Sequence, residues 1–169
     1  MKTLFLVRHA KSDWGDEDLS DIDRPLNKRG YRDAHFMSNL MKERYLIPDL
    51  IITSPAIRAI STALIFGRNL KLNYSNLIIN PNLYGTSMQH YKDCIAKTDD
   101  QHKNVMLFGH NSIISELANS LAKPFTENIA TCGIVGIRPA ENCNEWKCFI
   151  DTAGELLFYD FPKNHTEKH

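Results

Sequence analysis

His9 follows the apolar run Thr3-Leu4-Phe5-Leu6-Val7 and Arg8, and His110 follows Val105-Met106-Leu107-Phe108 and Gly109. A third run, Leu50-Ile51-Ile52-Thr53, leads into Ser54-Pro55-Ala56-Ile57-Arg58. If these runs are neighbouring strands, their ends deliver His, Arg and His to one rim. The two imidazoles and the guanidiniums of Arg8 and Arg58 would form an anion site there. Arg forks match phosphate oxygens, and the amides at a helix start add partial positive charge. Such a site suits phosphoryl transfer to a protein nucleophile: cations stabilise charge on the equatorial oxygens while one imidazole attacks in line. The attacking ring must be neutral. Neighbouring guanidiniums depress its pKa, and a backbone carbonyl accepting from the other ring nitrogen would fix its tautomer. The competing reading is that these are rim and cap residues scattered along a sheet edge.

The elements that would position them can be read from the apolar pattern. The three runs are short and nearly unbroken, as expected of strands covered on both faces, and Leu77-Ile78-Ile79 is a weaker candidate. Ala34, Met37, Leu40 and Met41 recur at helical spacing and predict a helix from about Lys28 to Tyr45. Ser54-Pro55 reads as cap and first residue of a second helix through about Arg68. A third is expected over about Met88–Lys97, and a fourth over Ile113–Leu121 with Asn111 or Ser112 as cap. Late strands are expected at Gly133–Ile137, Trp146–Ile150 and Leu156–Tyr159, with Asn142-Cys143-Asn144 turning between the first two. Strand–helix alternation of this kind implies right-handed crossovers and a mainly parallel sheet between helices, with the last strands pairing as hairpins at one side. Sites in such sheets form beyond the carboxyl ends of the strands, which is where the histidines fall.

Composition narrows the classes further. The chain has 169 residues, of which 43% are hydrophobic and 24% charged, enough for one packed domain over 1–162 with a short tail over 163–169. Twenty basic and twenty acidic residues leave no net charge, so no global field draws the chain to nucleic acid or a membrane surface. Arg8 and His9 interrupt the opening apolar run well short of a signal core, and no stretch approaches a membrane span. Cys94, Cys132, Cys143 and Cys148 lack metal-ligand spacing and are expected to be free thiols, which points to the cytoplasm.

Arg8-His9-Ala10, Leu26-Asn27-Lys28-Arg29-Gly30, Ser54-Pro55-Ala56-Ile57-Arg58-Ala59, Thr62-Ala63 and Gly109-His110-Asn111 together resemble the histidine phosphatase superfamily, formerly named for phosphoglycerate mutase. The small size, Arg24-Pro25-Leu26 and Arg8-His9-Ala10-Lys11-Ser12 resemble its SixA-type phosphohistidine phosphatases. The resemblance implies a phosphoglycerate mutase-like three-layer α/β/α sandwich with a mainly parallel central sheet. It also implies His9 as nucleophile, with Arg8, Arg58 and His110 completing the phosphate pocket and Ser12 among the substrate contacts. Neither a metal nor another cofactor is expected. Thr131-Cys132-Gly133 resembles the small-residue segment bordering the family's pocket, so Thr131 and Cys132 are assigned to its periphery.

Two departures from the family pattern matter. Ala10 stands where the superfamily usually has Gly, a change that is tolerable if the backbone there does not need a positive φ. The larger phosphatases and mutases carry an acid after the third strand, whereas Pro81-Asn82-Leu83-Tyr84-Gly85-Thr86-Ser87 has no carboxylate. An alkoxide leaving group needs a proton donor, typically worth about 10²–10⁴-fold, far more than the weak P–N bond of a phosphohistidine does. The expected partner is therefore a phosphohistidine-bearing protein or a small phosphorylated substrate of phosphoramidate type. An alternative is a phosphomonoesterase that borrows an acid from the loop 12–23, which holds six carboxylates, with Asp13 or Asp16 reaching over the pocket. The bland reading of that loop is a solvated surface, anchored by Trp14 and paired with Arg24 and Arg29. A third reading, from another class, is a binding module for phosphorylated partners without turnover. His165 and His169 are expected at the surface, and His35, His90 and His102 show no partner logic.

Overall fold

Along the first strand, Leu4 and Leu6 point to one side and Phe5 and Val7 to the other, and all four are buried. That two-residue alternation with no polar face requires cover on both sides. The computed structural model describes residues 1–141 and 143–166 and supplies that cover as two helical layers. The strands are β1 (Thr3–Arg8), β2 (Leu50–Thr53), β3 (Leu77–Ile79), β4 (Asn104–Gly109), β5 (Ala122–Lys123), β6 (Ile134–Arg138) and β7 (Gly154–Asp160). The helices are α1 (Lys28–Glu43), α2 (Ile57–Asn69), α3 (Met88–Ala96), α4 (Ile113–Leu121) and α5 (Trp146–Phe149). The described residues form one seven-stranded sheet in the order β3-β2-β4-β1-β6-β7-β5. Only β6 runs against the others, antiparallel to β1 and β7. Phe5, Val7, Ile51, Met106 and Phe108 pack on α1 and α2, while Leu4, Leu6, Ile52, Val105 and Leu107 pack on the α3, α4 and α5 side. The expected three-layer α/β/α sandwich with a mainly parallel sheet is the fold observed.

The central register decides where the strand ends meet. Phe108 of β4 lies opposite Val7 of β1 on one side and Thr53 of β2 on the other. The next residues, Arg8-His9, Ser54 and Gly109-His110, therefore emerge at one level. Backbone bonds continue past the strands, from His9 N to Gly109 O (3.2 Å) and from Ser54 N to Phe108 O (3.1 Å).

Several local expectations are corrected. Trp146–Ile150 is not a strand: Trp146–Phe149 is a helical turn, held by the Trp146 indole donating to the His102 carbonyl (2.9 Å) and its backbone N–H to Asp100 (2.8 Å). That turn folds the chain back, so the Cα atoms of Cys143 and Cys148 stand 5.7 Å apart and the two are disulfide-bonded. Four free thiols were expected; Cys94 and Cys132 are the free ones. Helix α2 begins at Ile57, not at Pro55: Ala56 is extended and takes the cap position, while the Ser54 hydroxyl meets His110 and accepts from Ala56 N ahead of the helix. Helix α1 stops at Glu43, before Tyr45, whose φ of 57° is left-handed. Residues 162–165 are also folded, as a short 3-10 turn in which His165 bonds Asp160 (2.8 Å) and its ring meets Phe36 of α1. The turn residue Asn142, and His169, lie outside the described residues. No helix among the described residues is long and apolar enough to cross a membrane.

The loop leaving His9 is pressed against the start of α1, where Asn27 caps the helix by accepting from Gly30 N (2.8 Å). A Cβ on Gly30 would run into the Lys11 backbone carbonyl, whereas one on Gly67 of α2 meets only ordinary contacts, the nearest 3.6 Å away. Gly30→Ala should therefore destabilise the fold by about 1–3 kcal/mol. Gly67→Ala should stabilise it by about 0.5–1 kcal/mol. Urea denaturation of the two variants reads this difference in sign.

Candidate active site

His9, buried just beyond β1, is fixed by one short bond: its Nδ1 lies 2.7 Å from the Ala10 carbonyl oxygen. A carbonyl can only accept, so Nδ1 carries the ring proton and Nε2 keeps its lone pair. Burial pulls the His9 pKa down to about 3, with His110, Arg58 and Arg8 pushing the same way against the opposing Ala10 bond. His110 faces it with ring centroids 5.2 Å apart, and burial and Arg58 bring that ring down to about 4. Both rings are thus neutral at neutral pH.

The remaining parts arrive from separate elements. Arg58, in the first turn of α2, gives one guanidinium nitrogen to the Asp21 carbonyl (2.6 Å) and another to the Asp21 carboxylate (3.0 Å). Arg8 donates to the Ile129 carbonyl (3.0 Å). Ser54 Oγ lies 2.7 Å from His110 Nε2 and also accepts from Ala56 N. Three buried nitrogens here have no hydrogen-bond partner among the described residues: Arg8 Nε, Arg58 Nε and His110 Nδ1. Buried groups of this kind are normally paired, and leaving one unmet costs about 1–3 kcal/mol.

Positioning residues tie the pieces together. The Thr62 hydroxyl accepts from Ala10 N (3.1 Å) and donates to the Arg58 carbonyl (2.7 Å), joining the His9 loop to the helix that carries Arg58. Among the described residues, those with positive φ are Tyr45, Lys71 and Cys132, so Ala10 takes an ordinary backbone conformation where the family usually has Gly. His110 N donates to the buried Tyr91 hydroxyl (3.2 Å), which donates to the Leu83 carbonyl (2.8 Å). A side chain at Gly109 would collide with that phenol ring.

The acidic loop contributes a residue other than the two singled out from sequence. Asp13 accepts from Gly15 N and Asp16 from Asp18 N, each within its own turn. Asp21 instead reaches the site, where it accepts from Arg58, Arg24 and the Tyr84 hydroxyl (2.6 Å). The Tyr84 bond, then Arg58 and Arg24, hold its carboxyl far below the usual range, so Asp21 is an anion and no proton donor. Its spacing of three before Arg24 was the available signal. Ser12 is buried with its hydroxyl on Arg24 (2.7 Å), and Arg24 lies under the Trp14 ring at 3.5 Å. Trp14 is itself exposed and its ring covers Arg24, while Arg29 pairs with Asp33 of its own helix, not with the loop. Cys132 holds the end of β1 through its backbone N–H, and its thiol is fully buried, which pushes its pKa up. Thr131 lines a cavity on the Arg8 flank, and a second cavity of about 470 Å³ opens between Asp21, Arg58, Tyr84 and His110. Among the described residues, no group of three or more His, Cys, Asp or Glu could hold a metal ion.

The family model described as the histidine phosphatase superfamily (branch 1) matches residues 4–93, which take in β1 with His9 and α2 with Arg58. The chain belongs to this superfamily. An uncharacterised chloroplastic protein of Arabidopsis thaliana is 30% identical over 129 residues, covering 72% of this chain and 59% of that relative's length. The putative phosphohistidine phosphatase SixA of Agrobacterium tumefaciens superposes with a TM-score of 0.79 at 23% identity, over 95% of this chain and 98% of its own. A SixA protein histidine phosphatase solved with tungstate gives 0.80 at 20% identity, over 97% and 99%. These two likenesses are of fold.

The neutral rings generate a pH signature. The imidazole ¹⁵N shifts of His9 and His110 should remain those of neutral rings from about pH 8 to about pH 5, where an ordinary histidine titrates near 6.5. The unfolded chain binds those protons near pH 6.5, whereas the folded one waits until about 3 and about 4. Folding stability should therefore fall as pH drops below about 6.5, by roughly 2 kcal/mol per ring at pH 5. Denaturation of wild type and His9→Asn at the two pH values measures the His9 share.

Proposed function

We propose that this protein is a phosphatase acting on phosphohistidine, in a protein or a small phosphoramidate, through a phosphorylated His9. The observation that carries this reading is the set of unmet nitrogens on Arg8, Arg58 and His110 around a ring whose Nε2 is held unprotonated. A phosphoryl group supplies the missing acceptors. Tungstate, the oxyanion bound to a SixA of the same fold, supports the same chemistry here.

In the first step His9 Nε2 attacks phosphorus and the substrate P–N bond breaks. Its electron pair stays on the leaving imidazole, which takes a proton from solvent. Arg8 and Arg58 stabilise the charge on the transferred oxygens. Water then attacks phosphorus, loses a proton to solvent, and releases inorganic phosphate and neutral His9. No step needs a protein acid. The stretch 81–87 has none, and the loop carboxylate that borders the site is Asp21, held ionised by Tyr84 and Arg58. That favours labile phosphoramidates over alkyl phosphates, whose departure gains about 10²–10⁴-fold from general acid catalysis.

The experiment is turnover of imidazole phosphate and a phosphohistidine peptide in EDTA. Wild type should be active, His9→Ala should lose at least about 10³-fold in kcat, and Asp13→Asn should match wild type. Quenching without acid should trap phosphate on His9. Unchanged activity in His9→Ala removes the nucleophile, absence of a trapped adduct with no turnover leaves only binding, and fast alkyl phosphate hydrolysis lost in Asp13→Asn reinstates a loop acid.

A further inference from the structure

The cavity on the Arg8 flank, about 300 Å³, plays no part in the steps above. Four cations from three stretches of chain line it: Arg8 at the end of β1 with Lys11 in the loop beyond, Arg29 in the first turn of α1, and Lys163 in the turn after β7. Thr131 adds a hydroxyl, and none of the lining residues is acidic. In a chain with twenty basic and twenty acidic residues, this is a local concentration of charge, not a consequence of composition. Lys11 and Lys163 make no ion pair among the described residues. Arg29 has a 3.4 Å contact to Asp33, whose other oxygen faces Arg32 at 3.6 Å. Like charges held around a concave wall repel one another, focus a positive potential, and are relieved by an anion. Arg29 and Lys163 also line a larger neighbouring hollow bordered by Arg32, Asp33, Phe36 and His165, where Asp33 is already paired with Arg29 and Arg32. The basic cavity itself begins at Arg8, a residue of the phosphate site.

We infer that this cavity is an anion subsite, taking a carboxylate or second phosphate carried by the substrate whose phosphoryl group meets His9. The inference rests on the assignment of His9 and adds a requirement to it: the substrate bears negative charge beyond the transferred group. Arg8 links the two places, since it adjoins His9 in the chain and lines the subsite. The anion has two possible sources, an acidic segment beside the phosphohistidine of a protein or a second acidic group on a small phosphoramidate.

The test compares wild type with Lys11→Ala/Lys163→Ala, two side chains that reach solvent and touch none of the reacting groups. The substrates are imidazole phosphate, free phosphohistidine, and a phosphohistidine peptide flanked by either glutamates or glutamines. Wild type should favour the anionic member of at least one pair by about fivefold in kcat/KM. The double variant should abolish that preference while turning over imidazole phosphate as before. Preference within the peptide pair assigns a protein source, and preference for phosphohistidine over imidazole phosphate assigns a small molecule. No preference in wild type, or a preference surviving in the variant, overturns the subsite. Calorimetry with the unphosphorylated glutamate peptide reads the subsite without turnover. Binding of that peptide or of inorganic pyrophosphate weakened about fivefold in the variant supports it, and equal or undetectable binding of both probes to both proteins overturns it even if His9 proves inert.

Discussion

Two imidazoles and two guanidiniums, buried (His9, Arg58) or half-buried (Arg8, His110) at one rim, cannot all be charged without an anion among them, and this constraint shapes everything nearby. The protein meets it by keeping the rings of His9 and His110 neutral and by bringing one carboxylate, Asp21, onto Arg58. Neutrality is produced by burial first and by neighbouring cations second, so it persists only while water is kept from the rings. The arrangement leaves donors unmet. A site that tolerates unmet buried donors is pre-organised for a ligand that brings the acceptors, and the protein stores that cost until the ligand arrives.

Orientation comes from bonds one step removed from the rings. The Ala10 carbonyl fixes which His9 nitrogen is bare, and Thr62 then ties Ala10 to the Arg58 backbone. Asp21 holds the Arg58 fork from the far side, backed by Tyr84 and Arg24, while Tyr91 holds the His110 backbone. These contacts join β1, α2, the acidic loop and α3 into one support. Rigid positioning of this kind matters because an in-line displacement is sensitive to small errors in approach.

Much of this was legible in the residues. The unbroken apolar runs of β1, β2 and β4 announced a sheet covered on both faces, and the polar residues at their ends announced the rim. The misread places share a cause. Trp146–Ile150 has strand-like composition, yet a buried indole with a carbonyl to satisfy made it a helical turn, and that turn paired Cys143 with Cys148. Ser54 looks like a cap, but the helix starts three residues later, and its hydroxyl joins Ala56 N to a partner distant in sequence, His110. Among six loop carboxylates, the spacing of Asp21 three before Arg24 hints at a pair with Arg24, but nothing local shows that the folded loop carries Asp21, and not Asp13, to Arg58.

The order of residues alone determined the layers, the strand ends and the identity of the four basic side chains, since hydrophobic period and chemical type are written in the chain. Tertiary structure decided which nitrogen of His9 is bare, that both rings stay neutral, and that Lys11, Arg29 and Lys163 share one hollow with Arg8. Those outcomes depend on burial and on distances between segments remote in sequence. No local pattern encodes them, because desolvation and Coulomb interaction are properties of position in space.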